Sequence, residues 1–151
     1  MSRFKEFVDS FPWVEAADIP WTPFNRRLSD SKTAIISTGG IYVHGDEPFA
    51  IANREDVDES YREIPVNTPT SQLRLAHEHY NKDHAEQDIN SVFPVQRIKQ
   101  LVQEGFLAAA SEIHFSITGY IPQPRRLYDS GKEIGRKLKD MEVDIALIVP
   151  V

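Results

Sequence analysis

A nearly unbroken apolar run, Val143-Asp-Ile-Ala-Leu-Ile-Val-Pro-Val151, ends the sequence. Such a run is typical of a strand that is buried on both faces of a parallel sheet. In open α/β sheets, ligands and reacting groups gather just beyond the carboxyl ends of the strands. Here nothing in the sequence follows that end. Either Val151 is the natural terminus, or the chain is the N-terminal piece of a longer protein.

Strand and helix patterns precede this run. Strands are predicted at 33–38, 60–65, 73–80 and 113–118. Ser91 is predicted to cap a helix that Gly105 ends, and Ser130-Gly-Lys-Glu133 has the capping-box pattern of a second helix. The residues expected to be buried by these helices are Val95, Ile98, Leu101, Val102, Ile134, Leu138 and Met141. This order predicts an α/β fold with a mostly parallel sheet and flanking helices. One interpretation of this fold is an incomplete Rossmann-like domain that is truncated at its C-terminus.

The length of 151 residues predicts a single domain covering 1–151. Residues 1–32 are rich in aromatic residues and proline, and 33–151 carry the sheet and helices. Three prolines and two tryptophans between Pro12 and Phe24 predict an extended arm. The arm could pack on its own domain or reach a partner subunit.

Composition excludes several classes of function. The formal net charge of −6 argues against nucleic-acid binding. The sequence contains no cysteine, so it has no disulfide, thiolate metal site or cysteine nucleophile. No secretory signal is evident and no apolar run approaches the ~20 residues that span a bilayer, so we expect a cytoplasmic protein without a membrane segment.

The glycine pair Gly39-Gly40 follows the first predicted strand. It forms either a plain turn or a cradle whose backbone N–H groups approach an anion or a substrate. The pattern is not the dinucleotide fingerprint. Elsewhere, the sequence has no Walker lysine and no nucleophile elbow, which argues against phosphoryl transfer and serine hydrolysis.

The densest group of polar residues is His77-Glu-His-Tyr-Asn-Lys-Asp-His84, followed by Asp88 and Asn90. On a strand, His77 and His79 project to one side, and Asp83, His84 or Asp88 could complete a metal shell for a hydrolase. A metal-free substrate pocket and ordinary structural hydrogen bonding are the other two interpretations. Asp88 and Asn90 are expected to cap the next helix, and they could also present oxygens to a ligand.

An ordered set of short motifs resembles the selenoprotein B family of the glycine, sarcosine, betaine and D-proline reductases. The resemblance runs from about Trp21 to Val151. The motifs, besides the final apolar run, are Ser37-Thr-Gly-Gly40, Gly45-Asp46 with Pro48-Phe49, Ser60-Tyr-Arg-Glu-Ile-Pro65, His77-x-His79-Tyr80, Asp88-Ile-Asn-Ser-Val-Phe-Pro94 with Arg97, Glu104-Gly105 and Gly119-Tyr120.

The resemblance implies reductive cleavage of a C–N bond at the α-carbon of an amino acid or its N-methylated relative. It also implies a selenocysteine or cysteine nucleophile in a segment that directly follows a strand ending like Ile148-Val-Pro-Val151. The family's catabolic members use a pyruvoyl group on a partner subunit, and some use a second selenoprotein or a thioredoxin-like reductant. The anion of such a nucleophile would be stabilised at a strand end beside a helix N-terminus. Residues expected to line the substrate pocket are Gly39, Gly40, His77, His79, Asp88, Asn90, Gly119 and Tyr120.

The sequence departs from the family pattern at the nucleophile, because it stops one residue short and has no cysteine to substitute. Asn81 also stands where members often carry an acidic residue. The chain as given is therefore expected to be inactive. Either a selenocysteine codon is read as a stop after Val151, or the chain is a short binding or scaffold paralogue. A truncated sheet would leave apolar surface uncovered, so a homo-oligomer is expected, with the arm as a candidate contact.

Overall fold

The structure is a computed structural model that describes residues 3–11, 22–50, 58–76, 82–119, 121 and 123–151. Within these ranges the strands are β1 (Lys32–Ser37), β2 (Ile41–Val43), β3 (Arg62–Pro65), β4 (Leu73–Leu75), β5 (Ala109–Ala110), β6 (Ile113–Ser116) and β7 (Ile145–Val149). The α-helices are α1 (Arg3–Ser10), α2 (Asp83–Gln87), α3 (Val95–Gln103) and α4 (Tyr128–Asp140). Short 3₁₀ turns lie at Leu28–Asp30, Thr70–Gln72, Ile89–Ser91 and Pro124–Leu127.

The main sheet is built around β1, which has parallel neighbours on both sides. On one side it pairs with β7 from Thr33↔Ile145 to Ser37↔Val149. On the other side its start pairs with β5 and its end with β6. The strand β3 then pairs antiparallel with β6 and forms the far edge. The predicted α/β class, with a mostly parallel sheet and flanking helices, is confirmed.

One face of the sheet carries the main hydrophobic core. The antiparallel pair β2–β4 and the helix α3 pack there, because α3 places Val95 and Ile98 on a single buried side. The buried members of this core are Ile35, Ile41, Ile64, Leu73, Ala85, Val92, Phe93, Val95, Ile98 and Leu107. Leu101, which was expected to be buried, is exposed.

The helix α4 lies near Phe115 of β6, since Phe115 and α4 residues such as Lys137 line one small cavity. Ile134 is the buried residue of α4, and Leu138 and Met141 are partly buried. The ring of Tyr61 meets Phe115 edge to face, with centroids 5.8 Å apart. Since His114, Phe115 and Ser116 are all fully buried, this strand has little access to solvent on either face, as expected of a strand in a parallel sheet.

The expectation that the terminal run is buried on both faces was wrong. In the described part of the chain β7 pairs with β1 alone, so its other edge has no strand beside it. Leu147 is 39% exposed and Ile148 is 63% exposed. Because adjacent strand residues point to opposite faces, both faces of β7 are open. The apolar composition of a strand indicates that the strand is suited to burial. It does not indicate whether other elements of the described chain pack against that strand.

Two predicted helix starts were also wrong. The helix after Ser91 begins at Val95, because Pro94 occupies the N-cap position and Ser91 belongs to a 3₁₀ turn. The last helix begins at Tyr128, so Ser130 lies inside α4 and its hydroxyl donates to the carbonyl of Glu59 instead of capping. Gly105 ends α3 with φ of +76°, as expected for a glycine after a helix.

The predicted arm falls largely on residues 12–21, which lie outside the described residues. The single-domain assignment stays a prediction. None of the helices in the described ranges has the length and apolar composition that crossing a bilayer requires.

Candidate functional site

The carboxyl ends of β1, β6 and β7 meet at one edge of the sheet, because the three strands run parallel. Beyond β7, the N–H of Val151 donates to the side-chain oxygen of Thr38 at 2.8 Å. Beyond β6, the N–H of Ile117 donates to the carbonyl of Ser37 at 2.9 Å, and Thr118 forms a bridge with Gly39. Val151, the glycine pair and the segment leading to Gly119 therefore lie together at this carboxyl edge.

The glycine pair makes a turn whose amides are already bonded within the protein. The N–H of Gly39 donates to the hydroxyl of Ser37 at 3.0 Å, and that of Gly40 to the carbonyl of Ile117 at 2.9 Å. Gly40 has φ of +64°, which favours glycine. A Cβ on Gly39 would lie 3.4 Å from a methyl group of Val151. Gly39 and Gly40 can therefore shape a pocket by small size, whereas their N–H groups are engaged.

Two buried serines fix this edge: Ser37, which the sequence marked only as part of a family motif, and Ser116, to which it gave no role. The hydroxyl of Ser37 donates to the carbonyl of Val92 at 2.7 Å while it accepts from Gly39. The hydroxyl of Ser116 accepts from the N–H of Ile41 at 2.7 Å. Both serines are fully buried. The sequence feature that could have predicted their role is a hydroxyl side chain at a core position of a strand, because a buried hydroxyl needs a hydrogen-bond partner.

The chain that leads to the histidine pair starts beside the glycine pair. The N–H of Ala76, the last described residue of that segment, donates to the carbonyl of Gly40 at 2.9 Å. His77, His79 and Tyr120 themselves lie outside the described residues, so their assignment to the pocket stays a prediction. Gly119 is described, and it follows the Thr118 that bridges to Gly39.

Asp88 and Asn90 form a separate polar network around the start of α3. Asp88 accepts hydrogen bonds from the N–H and the side-chain amide of Asn90, which hold the pKa of the Asp88 carboxyl below its ordinary value. Asn90 accepts from the N–H of Gln96 at 3.1 Å and so caps the first turn of α3. Among the described residues, no hydrogen bond joins either side chain to the glycine pair.

A polar cavity of about 590 Å³ lies beside this network, between the β2–β4 pair and α2. Arg74 and Lys82 give it positive charge, and Glu86 and Asp88 give it negative charge. A group carrying both an ammonium and a carboxylate would find complementary charges there. Asp88 lines this cavity, and its side chain is about half exposed.

A metal centre finds no support in the described part of the chain. Those residues contain no group of three His, Cys, Asp or Glu side chains that could hold a metal ion. Asp83 and His84 lie in α2, but the histidine pair on which the metal interpretation depends is not described. The metal-dependent hydrolase therefore stays an untested alternative.

His114 is a further residue to which the sequence gave no role. Its ring is fully buried in β6, and its Nδ1 accepts a hydrogen bond from the N–H of Ile35 at 3.0 Å. The ring thereby accepts from an N–H of β1 at a position between the part of β1 that pairs with β5 and the part that pairs with β6. Burial lowers its pKa to about 4, and the charge of Lys99 adds to the effect. His114 is thus a neutral structural group at physiological pH.

Comparison with known proteins gives one family and several longer relatives. Residues 3–150 match the family described as glycine/sarcosine/betaine reductase selenoprotein B. D-proline reductase subunit gamma of Acetoanaerobium sticklandii is 30% identical over 129 residues, which are 85% of this chain and 52% of that protein. Glycine reductase complex component B subunit gamma of Symbiobacterium thermophilum is 22% identical over 143 residues, 94% of this chain and 33% of that protein.

The corresponding subunit of Carboxydothermus hydrogenoformans is 23% identical over 145 residues, 95% of this chain and 33% of that protein. The chain thus spans about half the length of the first relative and about a third of the other two. No solved structure is significantly similar to the chain.

Proposed function

Since the chain belongs to the glycine/sarcosine/betaine reductase selenoprotein B family, we propose that it is the strand-end scaffold of an amino-acid reductase subunit. The reaction is the reductive cleavage of a C–N bond at the α-carbon of a substrate such as glycine, sarcosine, betaine or D-proline. The given sequence stops immediately before the selenocysteine or cysteine that would act as the nucleophile. As given, the chain does not carry out the reaction by itself.

The single observation that carries this proposal is the position of Val151. Its N–H is bonded to Thr38 at the carboxyl edge of the sheet, beside Gly39 and the bridge to Thr118. A residue placed next in the chain would emerge at the edge where α/β proteins gather their reacting groups. Val151 is half-buried rather than enclosed, so the next residue has a path to a substrate.

The described residues supply shape and rigidity for such a site. Ser37 and Ser116 hold the turn from two sides, and Gly39 keeps the space beside Val151 free of a Cβ. Contacts with the substrate are assigned to the predicted pocket residues. These are Gly39, Gly40, His77, His79, Asp88, Asn90, Gly119 and Tyr120.

The proposal includes partners and a location. The relatives are named as subunits or as components of a complex, which supports a partner reductase subunit. That partner would contribute the pyruvoyl group in enzymes that use one, and the substrate is a small amino-acid-like molecule. We assign the protein to the cytoplasm.

The first test is the gene. We expect the triplet after the Val151 codon to be UGA, followed in frame by codons for proline and cysteine with one codon between them. Intact mass of the protein from its native source should then exceed the 17.2 kDa of the 151-residue chain. A different stop triplet, or a native mass equal to 17.2 kDa, overturns truncation and favours the scaffold paralogue.

The second test is activity. The longer reading frame is expressed with a cysteine codon in place of UGA and assayed with a dithiol reductant and the partner subunit. Loss of glycine, sarcosine, betaine or D-proline is expected for this product. The matched controls are the same product with alanine at that position and the 151-residue chain, and both should be inactive. Equal turnover in the cysteine and alanine forms overturns the proposed nucleophile.

A further inference from the structure

The strand β7 has an open edge and two open faces. It pairs with β1 alone among the described strands, and Leu147 and Ile148 are 39% and 63% exposed on opposite faces. No charged residue lies within Ile145–Val149. Edge strands of soluble proteins ordinarily carry a lysine, a proline or a bulge that prevents further pairing. The strand itself lacks charge and proline.

The apolar surface continues beyond the strand onto the segment before β1. Phe24 and Leu28 are 44% and 55% exposed, and a salt bridge of 2.6 Å between Arg26 and Asp144 ties that segment to the start of β7. A cavity of about 820 Å³ lies between residues 22–28 and 143–146. We call Phe24, Leu28, Leu147 and Ile148 together the β7 surface.

Parallel sheets occur almost only where helices cover both faces. Full cover for the β7 surface would therefore be helices over its faces and, along its open edge, one more strand. A chain that leaves β7 at Val151 emerges at the carboxyl edge. A right-handed crossover from there lays a helix on one face and returns a parallel strand beside β7. An α/β unit is therefore the kind of structure that could cover the β7 surface.

We propose that the β7 surface is the docking surface for the part of the longer relatives that this chain does not match. This inference rests on the proposed function, because there the nucleophile segment follows β7. The choice of occupant is supported by length: this chain matches 52% of D-proline reductase subunit gamma, which leaves a part nearly as long as the matched one. That length is enough for several βα units.

The test uses one polypeptide in which residues 1–151 are followed by the unmatched part of the Acetoanaerobium sticklandii subunit. Hydrogen exchange measured by mass spectrometry compares this fusion with the 151-residue chain. Amides of Ile145–Val149 are expected to exchange at least about tenfold more slowly in the fusion. The internal control is β3, at the opposite edge of the sheet, whose exchange should not change. Unchanged exchange at β7 overturns the proposal.

Matched variants locate the contact. Ile148→Lys changes a residue of the β7 surface that is 63% exposed, and Phe106→Lys changes a residue after α3 that is 62% exposed. In the 151-residue chain both variants should fold like the parent, as judged by circular dichroism and Tm. In the fusion only Ile148→Lys should remove the slow exchange. If Ile148→Lys leaves the slow exchange intact, the proposal is wrong.

A second copy of the chain is the competing occupant. Concentration-dependent protection of Ile145–Val149 in the 151-residue chain, without added protection in the fusion, would assign the surface to self-association and overturn the proposal. The exchange measurement requires no nucleophile and no turnover. A failed reductase assay with a protected β7 therefore counts against the proposed function alone, and an active enzyme with an unprotected β7 counts against this inference alone.

Discussion

Thr38 holds Val151 through a side-chain hydrogen bond at the point where the strand ladder runs out. The N–H of Thr38 donates to the carbonyl of Val149 at 3.0 Å as part of the β1–β7 pairing. Pro150 follows and has no N–H to donate. The side-chain oxygen of Thr38 then accepts from the N–H of Val151 at 2.8 Å. Thr38, the residue directly after β1, thus binds the chain on both sides of Pro150.

Thr38→Val should release Val151 without changing the shape of the side chain. The substitution removes the acceptor, so we expect the Val151 amide to exchange with solvent about fivefold faster or more, with a stability loss of about 1 kcal/mol. Two-dimensional NMR of the labelled chain measures both effects. Thr38→Ser keeps the hydroxyl and should exchange like the parent. Equal exchange in the valine and serine variants would show that the hydrogen bond is not formed in solution.

Gly39→Ala should destabilise the protein by about 1 kcal/mol, because the added Cβ crowds the turn. It would lie 3.2 Å from the hydroxyl of Ser37 and 3.4 Å from methyl groups of Ile41 and Val151. Urea unfolding measures the change. Gly135→Ala is the control, because nothing lies within 4 Å of its added Cβ in α4 and alanine favours a helix by about 0.5–1 kcal/mol. A stabilised Gly39→Ala variant contradicts the crowded turn.

The elements that the sequence predicted well are those that local pattern alone determines. Alternation at Ile113, Phe115 and Ile117 indicated β6, and the apolar run at 33–38 indicated β1. The convergence of Gly39, Gly40 and the segment leading to Gly119 followed from parallel strands. The last of these inferences needs only the rule that the carboxyl ends of neighbouring parallel strands lie at the same edge of the sheet.

The features that failed depend on contacts between distant residues. Ser130 sits in a capping-box pattern, yet its hydroxyl bonds the carbonyl of Glu59, 71 positions earlier. The exposure of Ile148 depends on what covers the face of β7 from which it projects, which the composition of the strand does not encode. The role of His114 arises because Ile35 on another strand presents an N–H to its ring. No local pattern contains these partners.

Asn90→Ala should weaken the start of α3 by about 1 kcal/mol, because it removes the acceptor for the N–H of Gln96. The same change removes the side-chain hydrogen bond that lowers the pKa of Asp88 and keeps the backbone one, so that pKa should rise part of the way toward its ordinary value. Urea unfolding and an NMR titration measure these effects. Ser91→Ala removes the cap that the sequence predicted and should change stability by less than about 0.5 kcal/mol. A larger loss for Ser91→Ala than for Asn90→Ala would restore the original prediction.

His114 should make the protein less stable as the pH falls from about 6.5 to about 4. In the folded state burial holds its pKa near 4, whereas the unfolded chain takes up a proton at its ordinary value of 6.5. Protons therefore favour the unfolded state across this window, at a total cost of roughly 3 kcal/mol, and below pH 4 the loss stops because both states are protonated. Urea unfolding at a series of pH values measures the slope.

His114→Asn separates this titration from the hydrogen bond. The side-chain oxygen of asparagine can accept from the N–H of Ile35 in place of Nδ1, and asparagine does not titrate. We expect the variant to lack the extra pH dependence between 6.5 and 4. The stabilising contribution of carboxylates such as Asp58 remains in this window. It is lost at more acidic pH, because the pKa of Asp58 is lowered. If His114→Asn and the parent lose stability in parallel, the ring of His114 is not buried and neutral as the structure places it.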